Sequence, residues 1–398
     1  MEKNMILNET ISNLQPSKSM LFMAKAKQLQ AIDNEILDLS GGEPDFDTPV
    51  RVREEAKRWL DAGYTHYAVG AGLPELRQRI AKKLREENDC SYTAEDVIVT
   101  PGAKFAIYLA VRALINPKDE VLYLEPGWVS YPSIIEASGG IPVPIQLQRE
   151  HGYALKRESL ESLVTERTKA LIINYPCNPT GMILSAPEAN IIHEFMLTHP
   201  HIALVSDEIY ERIVFDGLRS TSMASYTDIA GRVVTINGFS KSMAMTGWRI
   251  GYLATSSPQV RKVIDRLFQH TITCVSGFIM KASVVALDCQ EDIERMRLQY
   301  ERRRDIFVNG LNAIPRVDCL TPKGAFYAWV KFDVPHMNAE QFSDFLLKHA
   351  KVVGVPGDAY GSEDCHIRFS LASSAADLET AVTRIEKAMK ILMEQESQ

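Results

Sequence analysis

Cysteine is sparse and scattered in this sequence: Cys90, Cys177, Cys274, Cys289, Cys319 and Cys365 lie far apart, with no C-x-x-C pair. Such spacing argues against both a disulfide framework and a zinc site, and reduced, scattered thiols point to the cytoplasm. Long apolar runs are missing as well. The longest in the N-terminal segment is MLFMA, too short for a signal-peptide core and far too short to span a bilayer, so the chain reads as soluble and unexported. Nor is there an excess of positive charge. Forty-four Lys and Arg against 51 Asp and Glu leave a net charge of −7, which excludes a global field for nucleic acid or an anionic membrane and makes any anion site local. What remains is a globular profile, 45% apolar and 24% charged over 398 residues. A chain of that size removes roughly 75% of its unfolded surface on folding and needs no covalent staple.

No internal repeat or low-complexity tract marks a boundary, so organisation is read from the order of elements. From Asp96 to Leu253, β-rich apolar runs (DVIVT, EVLYL, IPVPIQL, KALIINY, IALVSDE, RVVTINGF, IGYLAT) alternate with helix-like segments such as GAKFAIYLAVRALI. This is the pattern of an α/β fold, a mostly parallel seven-stranded-type sheet between helices. Ligands of such sheets sit beyond the C-terminal strand ends. The charged stretch EDIERMRLQYERRRDIFVNGLNAI, free of Gly and Pro until Gly310, reads as one solvent-faced helix bridging two bodies. After it, GAFYAWVKF and CHIRFSLA read as strands, and NAEQFSDFLLKH and SAADLETAVTRIEKAMKILMEQ as amphipathic helices. The expected division is therefore an arm at 1–45 that helps to complete a small α+β domain, a large domain at 46–290, and the bridging helix with the small domain at 291–398.

The segment GFSKSMAMTGWRIG, Gly238 to Gly251, follows the strand RVVTIN and carries the sharpest signal. Lys241 stands at a strand end among small residues, with Arg249 eight positions on. Partial burial beside an arginine disfavours the ammonium, and the neutral amine condenses with carbonyls. Taken alone, Lys241 also reads as a surface lysine.

This run resembles the cofactor-attachment signature of the class I aminotransferases, pyridoxal 5′-phosphate enzymes of fold type I. SGGEPDFDTP, YAVGAGLPELR, TPGAK, PGWVSYP, NYPCNPTG, SDEIYE and HIRFSLA match in the expected order along nearly the whole chain. The bacterial subgroup with many aspartate and aromatic aminotransferases is the most similar. The resemblance implies that Lys241 is the Schiff-base lysine, that Tyr210 and Asn178 bond the ring's phenolic oxygen, and that Arg368 takes the substrate α-carboxylate. It also implies that Tyr67 reaches the cofactor phosphate of a neighbouring subunit, hence a homodimer with shared sites.

Most of these residues also make sense from their own chemistry. In VIVTPGAKFAIYLAVRAL a strand turns through Gly into a helix, so Gly102, Ala103 and Lys104 can cradle a phosphate with free N–H groups, helped by the Ser240 hydroxyl and the Arg249 fork. Asp207, closing IALVS, suits a protonated pyridine nitrogen and equally a helix N-cap. Asn178 also suits a turn before Pro179. Trp128 can stack on a flat ring or lie in a core, and Gly127 before it stands where the subgroup commonly has an aromatic. Arg368, among apolar neighbours, needs an acid, whether internal or a substrate carboxylate, and Gly42 offers backbone approach to the same carboxylate. Arg112, inside the helix that starts at the cradle, reads mainly as a structural or snorkelling side chain, with a distal substrate carboxylate as the sharper alternative.

The expected activity is transfer of an amino group from an L-amino acid of aspartate, glutamate or aromatic type to a 2-oxo acid. A carbon-sulfur β-lyase or related lyase on the same fold is the alternative. A non-catalytic ligand sensor lacks the DNA-binding domain and basic helix it would need.

Overall fold

The computed structural model describes residues 7–396; the first six residues of the expected arm and the last two of the expected small domain lie outside that range. Seven of the apolar runs form one sheet. In chain order its strands are β1 (Val97–Thr100), β2 (Glu120–Glu125), β3 (Ile141–Gln146), β4 (Thr168–Asn174), β5 (Ala203–Asp207), β6 (Val233–Gly238) and β7 (Gly251–Ala254). The spatial order is β1-β7-β6-β5-β4-β2-β3. All neighbours pair in parallel except β7, which runs antiparallel to both β1 and β6. Strands β1, β4, β5 and β6 are almost wholly buried, which is why they read as continuous apolar runs rather than alternating ones. The helix Ala103–Leu114 packs against β5, β6 and β7, and its N-terminus opens at the edge where β5 and β6 end and β7 begins.

A second apolar core surrounds a four-stranded sheet of Val355–Pro356, His366–Ser370, Tyr327–Phe332 and Val317–Cys319, in that order and antiparallel throughout. Helices Ala339–Ala350 and Ala375–Glu396 contribute to that core. Leu37–Asp38 pairs in parallel with Val352–Val353, which follow the helix Ala339–Ala350.

The bridging helix spans Gln290–Asn312 and is not solvent-faced along its length. Ile293 packs into the first core, whereas Met296, Tyr300, Phe307, Val308 and Leu311 pack into the second. The charged sequence hid this stripe because two of its arginines are themselves buried. Arg303 forks onto Asp45 at 2.8 and 2.9 Å, and Arg304 onto Asp216 at 2.8 and 2.9 Å. The helix also runs past Gly310, whose missing side chain makes room for Val382.

Among the described residues, no helix is long and apolar enough to cross a membrane.

Candidate active site

A cavity of about 510 Å³ opens at the C-terminal ends of β4, β5 and β6 and is closed on its far side by residues of the second body. Its lining gathers Gly42, Ala103, Lys104, Trp128, Asn178, Asp207, Tyr210, Ser240, Lys241, Arg249 and Arg368, residues singled out in the sequence from seven separate segments. The crevice rule for open α/β sheets accounts for the strand-end members.

Lys241 donates from Nζ to the Gly42 carbonyl at 2.5 Å. Burial, and then the Arg368 guanidinium, lower its pKa to about 8; Arg249 contributes less. The expected cause was Arg249, and the main charged neighbour is instead an arginine from the other body. A lysine in this state is about one-tenth neutral at pH 7, several hundred times the fraction of an ordinary lysine. Asp207 ends β5 and is buried without an ion pair among the described residues. Its Oδ2 accepts from the Tyr131 hydroxyl at 2.8 Å and its Oδ1 from the Ile209 N–H at 3.2 Å. Burial raises its pKa to about 6. No helix follows β5, so the Ile209 contact closes a local turn and the helix N-cap alternative does not hold.

At the other end of the cavity, Gly102 takes φ 94° and begins the helix Ala103–Leu114, whose first-turn N–H groups meet no capping side chain. A Cβ at Gly102 would come within 2.8 Å of Arg249 Nη2, so only glycine lets the guanidinium lie over the turn. Arg249 itself sits at φ 54°, a left-handed conformation costly for a side-chain-bearing residue, and donates to the Thr246 carbonyl at 2.9 Å. Uncapped N–H groups, a helix dipole and a guanidinium together form an anion site. The buried Ser240 lines the same end.

Arg368 is 3% exposed and has no carboxylate partner among the described residues. It donates to Asn178 Oδ1 at 3.1 Å and to the Ser40 carbonyl at 2.7 Å, which engages two of its five N–H groups. Its guanidinium lies over the rings of Tyr327 (4.4 Å) and Tyr360 (5.2 Å). The internal-acid alternative is thereby removed, and a buried cation at a cavity wall calls for an anionic ligand.

Other expectations need adjustment. Arg112 does not reach the cavity: it is exposed and donates to the Ser138 carbonyl at 2.9 Å, the snorkelling arrangement. A Cβ at Gly42 would meet only Tyr327 Oη, at 3.5 Å, so that position is open on the protein side and its carbonyl carries the contact. Gly127 is explained by packing, since a Cβ there would fall 2.1 Å from the Leu124 carbonyl oxygen. Lys104 contributes its backbone to the cradle, while its Nζ lies 5.0 Å from the Trp128 ring centre and burial lowers its pKa. Tyr67 is 90% exposed on this chain and outside the cavity.

Several residues escaped the sequence reading. Asn174 links two of the site's segments, donating to the Asp207 carbonyl at 3.0 Å and accepting from the Asn178 N–H at 3.0 Å. As the last residue of β4 it was findable by the crevice rule. Tyr131 lies three residues beyond Trp128, in a quoted segment, but nothing local pairs it with Asp207. Tyr327, whose hydroxyl pairs with Tyr210 Oη at 2.9 Å, and Tyr360 come from the second body and carry no signal of their own.

Comparison with known proteins agrees with this geometry. The family model for aminotransferase class I and II matches residues 34–385. The chain is 40% identical over 391 residues to a probable aspartate/prephenate aminotransferase of Aquifex aeolicus, covering 96% of this chain and 98% of the relative. It is 36% identical over 391 residues to aromatic-amino-acid aminotransferase 2 of Thermococcus litoralis, covering 97% and 99%. The aspartate aminotransferase from Thermus thermophilus with maleate superimposes with a TM-score of 0.92 at 35% identity, covering 97% of this chain and 100% of that one. A full-length family match, and a cavity with an anion cradle, a partly neutral lysine and a lone buried carboxylate, lead to one conclusion: this chain belongs to the class I and II aminotransferases and uses pyridoxal 5′-phosphate.

Proposed function

We propose that the cavity residues divide the work of amino-group transfer between an L-amino acid and a 2-oxo acid as follows. The observation that carries the assignment is Arg368, a buried guanidinium without an internal acid, facing the same cavity as Lys241. Bound pyridoxal phosphate supplies an exchangeable carbonyl and an electron-accepting ring. The N–H groups of 102–104, with Ser240 and Arg249, would hold its phosphate; Trp128 would form a flat wall; Asp207 would pair with the ring nitrogen; Tyr210 and Asn178 would serve the phenolic oxygen. Arg368 binds the α-carboxylate and so fixes the ligand's Cα within reach of Lys241. The Lys241 amine would attach the cofactor and, once free, would carry the proton lost from the substrate Cα to the cofactor's carbonyl carbon, for which a pKa of about 8 is well matched.

With Arg112 outside, Lys104 is the cation the cavity offers near Trp128 to a distal carboxylate, while Met20, Met23 and Ile107 offer an apolar wall to a ring. Relatives named for aspartate and for aromatic amino acids are consistent with either type of side chain. Exposure of Tyr67 and of nearby Val69 supports a homodimer in which Tyr67 serves the partner's site. Six unpaired cysteines support a cytoplasmic setting.

The test is a half-reaction screen of the twenty amino acids against the cofactor-loaded protein, following the cofactor absorbance, with Lys241→Ala beside it. The variant is expected to bind cofactor without a covalent link and to lose transfer almost completely. Borohydride reduction that marks a different lysine would refute the assignment, and pyruvate release from cystathionine without a 2-oxo acid would favour the lyase.

A further inference from the structure

The side-chain donor to Asp207 lies outside the cavity lining. Tyr131 is 2% exposed, near the start of the helix Ser130–Ala137, and its hydroxyl is the side-chain donor to Asp207 Oδ2, at 2.8 Å. Its ring meets the Trp128 ring edge-on, with centroids 5.2 Å apart and planes at 81°. One side chain therefore touches both the flat wall and the acid. Because Oδ1 takes the Ile209 N–H, each carboxylate oxygen has one internal donor and keeps lone-pair capacity for the cavity.

We infer that Tyr131 is a positioning residue for catalysis, whose hydroxyl keeps Asp207 ionised and aimed at the cofactor's ring nitrogen while its ring sets the plane of Trp128. This rests on the proposed contact between Asp207 and that nitrogen. The titratable groups around Asp207 are Tyr131, Lys241, Tyr210 and Cys177. Burial, followed by the Asp207 charge, holds the Tyr131 phenol well above its ordinary range, so it remains a donor at any working pH. Burial works against the Asp207 carboxylate and the Tyr131 hydrogen bond works for it. Removing the hydroxyl leaves the acid competing with the ring nitrogen for one proton.

Tyr131→Phe removes one oxygen and keeps the ring against Trp128. Two ligands are compared on the apoenzyme: pyridoxal phosphate, and its analogue with C–H in place of the ring nitrogen. The parent protein is expected to prefer pyridoxal phosphate. The variant should lose about tenfold of that preference, the scale of one hydrogen bond to a charged group, while its affinity for the analogue stays unchanged. In the holoenzyme, kcat should fall with KM for the amino acid unchanged, and the acid limb of the kcat profile should move up by about one pH unit. Incorporating 3,5-difluorotyrosine at 131, which keeps the shape and strengthens the donor, should move the limb the opposite way; this arm stands even if Tyr131→Phe does not fold. Equal weakening of both ligands, or a limb that neither change moves, would reduce Tyr131 to space-filling. A parent protein with no preference between the ligands would instead overturn the contact between Asp207 and the ring nitrogen.

Discussion

Arg368→Lys and Arg368→Leu, measured side by side, separate two effects of a single guanidinium. The first is on Lys241, whose pKa falls from an ordinary 10.5 to about 8 through burial and then Arg368. At about 1.4 kcal/mol per pH unit, the charged amine is disfavoured by about 3 kcal/mol, and Arg368 is the largest charged contributor. Leucine removes that contributor and leaves the burial, so the Lys241 pKa should recover part of the way toward 10.5. Lysine keeps the charge, so the titration should barely move. The second effect is on the substrate. Lysine loses the planar fork, which should raise KM about tenfold, whereas leucine loses the ion pair altogether, at about 2 kcal/mol or more and so about 30-fold or more in kcat/KM. Both losses should be shared by every amino acid, because all carry the α-carboxylate. The assays are the pH dependence of Lys241 labelling by an amine-reactive reagent in the apoenzyme, and steady-state kinetics on an acidic, an aromatic and a small amino acid. Thermal melts control for the two acceptors left behind, Asn178 Oδ1 and the Ser40 carbonyl. A leucine variant with unchanged Lys241 titration would refute the electrostatic coupling, and a loss confined to one amino acid would mean that Arg368 reads the side chain.

Three further outcomes are expected. Glu208, buried and hydrogen-bonded by Ser206 at 2.9 Å and Ser222 at 2.7 Å, has its pKa raised by burial, and then by Glu211, from 4.5 to about 8. Its stabilising protonated form is fully present below about pH 4.5 and is lost as pH rises through 8, so Glu208→Gln should match the parent at pH 5 and melt higher at pH 9, by up to a few kcal/mol. Equal melting temperatures at pH 9 would count against that burial cost. Arg112→Gln should leave kcat/KM for dicarboxylic and aromatic substrates within about twofold, as for an ordinary surface change, and a selective loss on aspartate would reopen its role. Mixing Lys241→Ala with Tyr67→Phe should restore activity through heterodimers in which one site carries neither defect, and no recovery after verified subunit exchange would place Tyr67 outside the partner's site.

Strands β1, β2 and β4 to β7 were legible because burial on both faces leaves little but apolar residues between turn signals, whereas β3 is a partly exposed edge strand. Asp207 and Lys241 were legible as candidates because they stand at or just past strand ends, where sheet topology places ligands, whereas Asn178 stood out only through the family resemblance. Spacing along the chain proved a poor guide to distance through space. Arg112 lies eight residues beyond Lys104, which is two helical turns plus about 80°, enough to turn it onto another face. For the same reason the charge acting on Lys241 was expected from Arg249, eight positions away, and comes more strongly from Arg368, which the fold brings in from the other body. Tyr327, Tyr360 and Tyr131 acquire their roles only after folding, since each meets its partner through a crossing of elements that no local pattern encodes. The bridging helix misled by composition, because Arg303 and Arg304 look like solvent-facing charges until Asp45 and Asp216 are placed against them.

The cavity draws one wall from each of two hydrophobic cores, and this makes the protein a coincidence detector for its own completion. The 102–104 turn proposed to cradle the phosphate and Lys241 follow strands of the first sheet, but Arg368 and Tyr327 lie on strands of the second, beyond the bridging helix. The 102–104 turn and Lys241 by themselves lack the guanidinium proposed to seat the α-carboxylate. Losing the second body also takes away the Arg368 charge that helps keep Lys241 neutral. Turnover of an amino acid becomes a direct report that all of the chain from the N-terminal segment at Gly42 to the strand at Arg368 has come together.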